Sequence, residues 1–276
     1  MTINFNGEFI QEEDIALNIS NNRCFLYGDG VFESMLGTSM GIRFWDDHYD
    51  RLVKSSKAIR LDIQRLPGSQ NLHSLLKQLL IYNNIHGQAR MKIQIWRTAE
   101  GLYNPDADDI SYLITALPYD KPFVQLKEHV RVIYSPRLTF TEYSSFKTCN
   151  SLPYVLASKE KTLLNLDDVL LLDQKNRISE FSASNIFWFQ KGKLFTPSLN
   201  TGCIAGVMRK KILDYCAQNR VKTMPALATI DELQESEYVF GSNFSGIHPV
   251  AQINEWKFKP VLPDFMLDFI EKEITS

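Results

Sequence analysis

The 276 residues are 44% hydrophobic and 22% charged, the mix of a chain that buries a core, which excludes wholesale disorder. Thirty Lys and Arg stand against 32 Asp and Glu, so there is no net basic face for coating a nucleic-acid backbone. No apolar run approaches the roughly 18 residues of a membrane span, the N-terminal stretch lacks a basic-then-apolar leader, and Cys24, Cys149, Cys203 and Cys216 show neither zinc nor disulfide-framework spacing. The expectation is a cytoplasmic protein of one large or two modest domains.

The chain opens with a hairpin signal, Asn6-Gly7, between alternating segments Ile3–Phe5 and Glu8–Ile10. Asp46 and Asp47 are placed to cap a helix with Leu52, Val53 and Ile59 on one side. Leu72, Leu75, Leu76, Leu79 and Leu80 stripe a second helix from about Asn71 to His86, with Gly87 as its stop. Strands are predicted at Arg90–Arg97 and Ser111–Leu117, and Pro118–Pro122 suits a connector because its two prolines fit neither helix nor central strand. Beyond it, strands are predicted at Val130–Tyr134, Asp168–Asp173, Asn185–Gln190, Lys193–Thr196, Tyr238–Gly241 and Val250–Asn254. Helices are predicted at Pro153–Leu164, Gly206–Asn219 and Pro263–Ile274. Strands and helices mix without strict alternation, which favours two α+β lobes: a small domain over 1–117, a linker over 118–123 and a larger domain over 124–276.

Several stretches carry residues suited to chemistry. Tyr27–Glu33 (YGDGVFE) reads locally as a tight turn entering a strand. His48 and Arg51 share a helix face; the guanidinium is either solvated or a fork for phosphate or carboxylate. Lys147 lies in a polar stretch among aromatic and small residues, just before a helix N-terminus that disfavours an ammonium, and a lysine of lowered pKa suits imine chemistry. Glu180, among apolar and small neighbours, needs a partner to offset desolvation, either a protonated ring nitrogen or a cation such as Arg177. Gly206 opens a helix whose first N–H groups, on Val207 and Met208, make an anion site or else belong to a flexible loop. Ser242 and Asn243 add polar contacts there or make a turn. His48, His73, His86, His129 and His248 show no metal spacing, so no metal is expected.

Taken in order, YGDGVFE at 27–33, HYDRL at 48–52, FKTCN at 146–150, EFSASNIF at 180–187, GVMR at 206–209 and PV at 249–250 resemble the class IV aminotransferases, the fold-type IV pyridoxal 5'-phosphate (PLP) enzymes. That resemblance implies an α+β fold with a small N-terminal lobe, a larger C-terminal lobe holding a pseudo-barrel of mixed strands, and PLP between them. It makes Lys147 the imine-forming lysine and proton shuttle, and Glu180 the partner of the pyridinium nitrogen. It assigns the phosphate to Arg51, to the N–H groups of Val207 and Met208, and to Ser242 or Asn243. Tyr27, Phe32, Arg97 and Tyr103 become substrate-side residues, and a homodimer is implied. Within the family the features divide. Met208 stands where many aminotransferases have Thr, Leu152 where branched-chain members have Tyr, and Phe32 where D-amino-acid members have Tyr, while Arg97-Thr98-Ala99 lacks the Arg-x-His trap. KxxN at 147–150, GVMR and Arg97…Gly101-x-Tyr103 look like the 4-amino-4-deoxychorismate lyase branch, but Glu33-Ser34 does not. The lead expectation is amino-group transfer between an amino acid and a 2-oxo acid; the alternative is release of pyruvate and 4-aminobenzoate from aminodeoxychorismate. A non-catalytic binding protein of the same fold ranks third, because Lys147 and Glu180 are both present.

Overall fold

A computed structural model of the chain describes residues 1–275. They divide into two units, Met1–Lys121 with Phe146–Ser151, and Pro122–Ser145 with Leu152–Ser276. The division after Lys121 falls inside the 118–123 segment. The exchange of Phe146–Ser151 was not expected, and it has a backbone cause. The Phe32 N–H donates to the Lys147 carbonyl at 2.8 Å, and the Cys149 N–H to the Gly30 carbonyl at 2.8 Å, so this segment lies along a strand edge of the first unit.

The first unit is one antiparallel sheet with helices on one face. Its elements are β1 (Thr2–Phe5), β2 (Glu8–Gln11), α1 (Arg23–Tyr27), β3 (Gly30–Gly37), α2 (Trp45–Ala58), α3 (Ser69–Tyr82), β4 (Ala89–Arg97) and β5 (Ile110–Pro118), with strand order β2-β1-β5-β4-β3. Period-2 alternation puts Val31 and Met35 of β3, and Met91, Ile93 and Ile95 of β4, on the covered face, where they meet Leu52 of α2 and Leu72, Leu76 and Leu79 of α3. Each of those leucines is buried on a helical stripe, at roughly 25 cal/mol per Å2 of apolar surface removed from water. Two boundaries differ from expectation. The N-cap of α2 is Phe44 with no side-chain cap, so Asp46 and Asp47 sit inside the first turn and act on the helix dipole instead. Helix α3 stops at Tyr82, well before Gly87, because the Asn83 side chain bonds the carbonyls of Leu79 and Thr2 and accepts from the Thr2 N–H.

The second unit holds two five-stranded sheets. Its elements are β6 (Val130–Leu138), α4 (Leu152–Leu163), β7 (Asp168–Asp173), β8 (Ile178–Phe181), β9 (Asn185–Gln190), β10 (Lys193–Pro197), α5 (Val207–Gln218), β11 (Thr223–Ala226), β12 (Tyr238–Asn243), β13 (Gly246–Pro249), β14 (Gln252–Ile253), β15 (Trp256–Lys257) and α6 (Asp264–Ile270). The orders are β15-β14-β6-β7-β8 and β11-β10-β9-β12-β13, with parallel pairs at β14–β6, β6–β7 and β10–β11. Strand β7 is buried along its whole length, as an unbroken VLLL run requires: Leu170 and Leu172 face the main core, and Val169 and Leu171 face α4. The strand expected over Val250–Asn254 shrinks to β14, the helix expected over Pro263–Ile274 runs on from α6 as a π-helical turn over Glu271–Thr275, and β8, β11 and β13 were not anticipated. All three are four residues long, too short for a period to declare itself. Among the described residues no helix is long and apolar enough to cross a membrane.

Candidate active site

In the second unit a set of polar groups gathers around Glu180, on β8. Its carboxylate is buried and accepts from the Tyr154 hydroxyl at 2.7 Å, the Ile204 N–H at 3.0 Å and Asn185 Nδ2 at 3.2 Å. Arg177 is not its partner, because that guanidinium pairs with Asp173 at 2.5 Å. Burial, reinforced by the adjacent Glu180 charge and hydrogen bond, pushes the Tyr154 hydroxyl well above the usual phenol range, so it remains a fixed donor. The Tyr154 contact was missed at the sequence level. Its signal was an aromatic hydroxyl in the first turn of α4, a helix laid over β7, the neighbour of β8.

Asn185 joins this carboxylate to a helix end. Its Nδ2 also donates to the Ile204 carbonyl at 2.7 Å, and its Oδ1 lies so near Gly206 that a Cβ there would collide with it. Gly206 is the N-cap of α5 and provides no side-chain bond, so the N–H groups of Val207 and Met208 open the helix with no partner inside it. Ser242, on β12, pairs with Asn185 across the β9–β12 ladder, and its Oγ is buried with no hydrogen-bond partner. An orphaned hydroxyl, an uncapped helix start and a glycine excluding any Cβ fit an anion such as phosphate. Ser242 and Asn243 lie within a strand and not in a turn, and they part company. Asn243 Nδ2 holds the Ala183 carbonyl at 3.0 Å, while its Oδ1 accepts from Ser245, which makes it a brace for the β12–β13 hairpin.

In the first unit, alternation along β3 turns Glu33 onto the covered, apolar face beside α2. There Arg51 grips it with two bonds, Nε to Oε1 at 2.6 Å and Nη2 to Oε2 at 2.7 Å, and His48 Nδ1 meets Oε2 at 2.7 Å. Burial opposes ionisation of Glu33, yet the Arg51 charge and the His48 and Arg51 bonds outweigh it and hold the carboxyl at about 2. The shared face of His48 and Arg51 was legible; their common acid was not, although a lone Glu on an apolar strand face has to find a cation.

Lys147 is half-buried, with its Nζ 5.3 Å from the centre of the Phe32 ring, and Lys92 Nζ lies 5.0 Å from the same centre. Tyr27 and Tyr103, far apart in sequence, come together at 5.5 Å between ring centres, and Arg23 lies over Tyr27. Arg97 corrects the expectation of a substrate-side group. It is buried, and its five donors go to Asp29, Asp108 and the carbonyls of Ile59 and Arg60, so it ties loops together and keeps nothing for a ligand.

The amino-transferase class IV family model matches residues 30–253, and the chain belongs to that family. Curated relatives include a putative branched-chain-amino-acid aminotransferase of Methanocaldococcus jannaschii, 25% identical over 92% of this chain and 88% of that one. A D-alanine aminotransferase of Listeria monocytogenes is 25% identical over 100% and 96%. An aminodeoxychorismate lyase of Vibrio harveyi is 25% identical over 84% and 86%. Among solved structures, the Escherichia coli branched-chain amino acid aminotransferase has the same α+β fold, with a TM-score of 0.87 at 22% identity over 99% of this chain and 94% of that one. A second branched-chain amino acid aminotransferase, solved with pyridoxamine 5'-phosphate, reaches a TM-score of 0.82 at 21% identity over 98% and 91%. The family uses PLP, and the chain is a class IV aminotransferase-type enzyme.

Proposed function

We propose that this enzyme binds PLP and transfers an amino group between an amino acid and a 2-oxo acid, with Lys147 as its catalytic amine. The observation that carries the reading is the bridge made by Asn185, which touches both the Glu180 carboxylate and the Gly206 end of α5. It sets an acid for a ring nitrogen beside a cradle for a phosphate, the two polar ends of one cofactor. When bound, PLP supplies an electron sink for the pair left behind when the substrate Cα loses its proton.

The protein's own groups do the rest. Glu180, oriented by Tyr154 and Ile204, keeps the ring nitrogen cationic. Val207, Met208 and Ser242 hold the phosphate. Lys147 takes the proton from Cα and returns it at the cofactor's C4′, a general base on a half-buried stem. Phe32, Tyr27 and Tyr103 provide the apolar side for the substrate. A homodimer belongs to this reading and is checked by sedimentation.

The lyase reading starts with the same proton loss and is favoured by Met208, a buried side chain with no hydroxyl at the helix end. Two assays separate them. Glutamate with a panel of 2-oxo acids should give acceptor-dependent turnover; pyruvate and 4-aminobenzoate released from aminodeoxychorismate without an acceptor would select the lyase instead. Lys147→Ala should abolish turnover and borohydride fixation of the cofactor while leaving the circular dichroism spectrum intact. Unchanged activity in that variant would sink the reading.

A further inference from the structure

The chemistry above leaves two sulfur atoms unused. Cys24 lies on α1, and Cys149 lies two residues beyond Lys147, on the segment laid along β3. All four cysteines are free thiols, and these two line a single cavity of about 620 Å3 in the first unit, whose wall also includes Phe32, Lys92, Gln94 and Trp96. Backbone contacts fix their approach. Gly28, in the left-handed conformation that ends α1, comes so close to Asn150 that a Cβ would lie 2.9 Å from its backbone nitrogen. The Cys149 N–H in turn is held by the Gly30 carbonyl.

Their sulfurs share a hydrogen bond, and Gln94 Nε2 also donates to Cys24 Sγ, at 3.1 Å. The bond from Cys149 lowers the Cys24 thiol to about 7; burial opposes this, and Gln94 and the Lys92 charge assist it. The same bond, together with burial, pushes the Cys149 thiol up. Of the two, Cys24 is the more readily ionised sulfur, and Cys149 is the one that keeps its proton. That is the division of labour between an attacking and a resolving cysteine.

We propose that Cys24 and Cys149 are a hydroperoxide-sensitive pair whose reversible disulfide ties α1 to the segment carrying Lys147 and so switches the enzyme off. The Cys24 thiolate attacks one peroxide oxygen; the O–O bond breaks, an S–O bond forms, and hydroxide departs when the oxidant is hydrogen peroxide. The Cys149 sulfur then attacks Cys24 Sγ; the S–S bond forms, the S–O bond breaks, and the sulfenic hydroxyl leaves as water with the Cys149 proton. Two thiol-level sulfurs are oxidised and one peroxide is reduced. An external dithiol reverses the step by supplying two electrons. The cross-link takes Cys24 from its Gln94 donor and adds a restraint two residues from the proposed catalytic amine, where small displacements cost large factors in rate.

The test treats the purified full-length protein with hydrogen peroxide, alkylates it and maps its peptides. Free thiols should fall from four to two, with one cross-linked peptide joining Cys24 to Cys149. Turnover should drop at least tenfold and return with dithiothreitol. Cys149→Ser should instead leave a sulfenic acid on Cys24 that dimedone traps, and Cys24→Ser should leave all its remaining thiols unpaired. A map without the Cys24–Cys149 peptide, or a cross-linked enzyme at full turnover, overturns the proposal. The peptide map needs no cofactor, so it decides the matter even if the amino-transfer reading fails.

Discussion

Each unit buries a carboxylate, and the two are satisfied differently. Glu33 is met by a full cation and a histidine, all buried, and ends at about 2. Glu180 is met by a hydroxyl, an amide and a backbone N–H, and its neighbourhood includes Ser242, whose buried Oγ has no partner. A buried charge paired with an opposite charge is settled by its own chain, and removing one member is strongly destabilising. Glu180 also feels the Arg209 guanidinium, and what its neighbourhood leaves unsatisfied is the orphaned Ser242 hydroxyl beside an uncapped helix start. The first arrangement braces a fold; the second awaits a ligand.

The sharpest way to break this contrast is Arg51→Leu, which strands the Glu33 charge on an apolar face. It should cost about 3–5 kcal/mol in unfolding free energy, measured by denaturant titration. A variant of normal stability that merely loses PLP would make the Glu33 cluster a ligand site too. Next in size is the pH dependence. Because the folded Glu33 pKa lies below its ordinary 4.5, its contribution is complete above about pH 4.5 and disappears as the pH falls toward 2. That loss amounts to about 3 kcal/mol. Acid titration of stability should show it in the wild type and not in Glu33→Gln, and an identical acid limb in both would refute the assignment.

Smaller effects sharpen the other side. Gly206→Ala drives a Cβ into Asn185 Oδ1, so PLP affinity read by absorbance titration should fall about tenfold or more, about 1.4 kcal/mol. Ser242→Ala removes a hydroxyl that no protein group satisfies. It should leave the unfolding free energy unchanged or slightly raised while weakening PLP several-fold, a phosphate hydrogen bond of about 1 kcal/mol. Equal PLP affinity in wild type and Ser242→Ala would remove that residue from the cradle.

Much of the molecule was legible from its chain. The Asn6-Gly7 hairpin, the leucine stripe of α3, the alternation of β4 and the apolar run of β7 are local patterns, because a helix or strand repeats the same geometry every few residues. Lys147, Glu180 and the Gly206 helix start also stood out, each a chemical type set in an improbable neighbourhood. Partners were another matter. Arg177 chose Asp173, Arg97 spent every donor on loops, and Asn243 turned to brace a hairpin while Ser242 stayed unsatisfied.

Sequence alone thus determined the α+β elements, the family and which lysine to propose as the reactive amine, since these rest on residue type and short-range period. Only the tertiary structure decided which acid meets Arg51, which donors surround Glu180 and that Cys24 lies against Cys149. Hydrogen bonds and ion pairs are made at a few ångströms between residues far apart along the chain. Their choice follows from sheet register and helix packing, which no local pattern encodes.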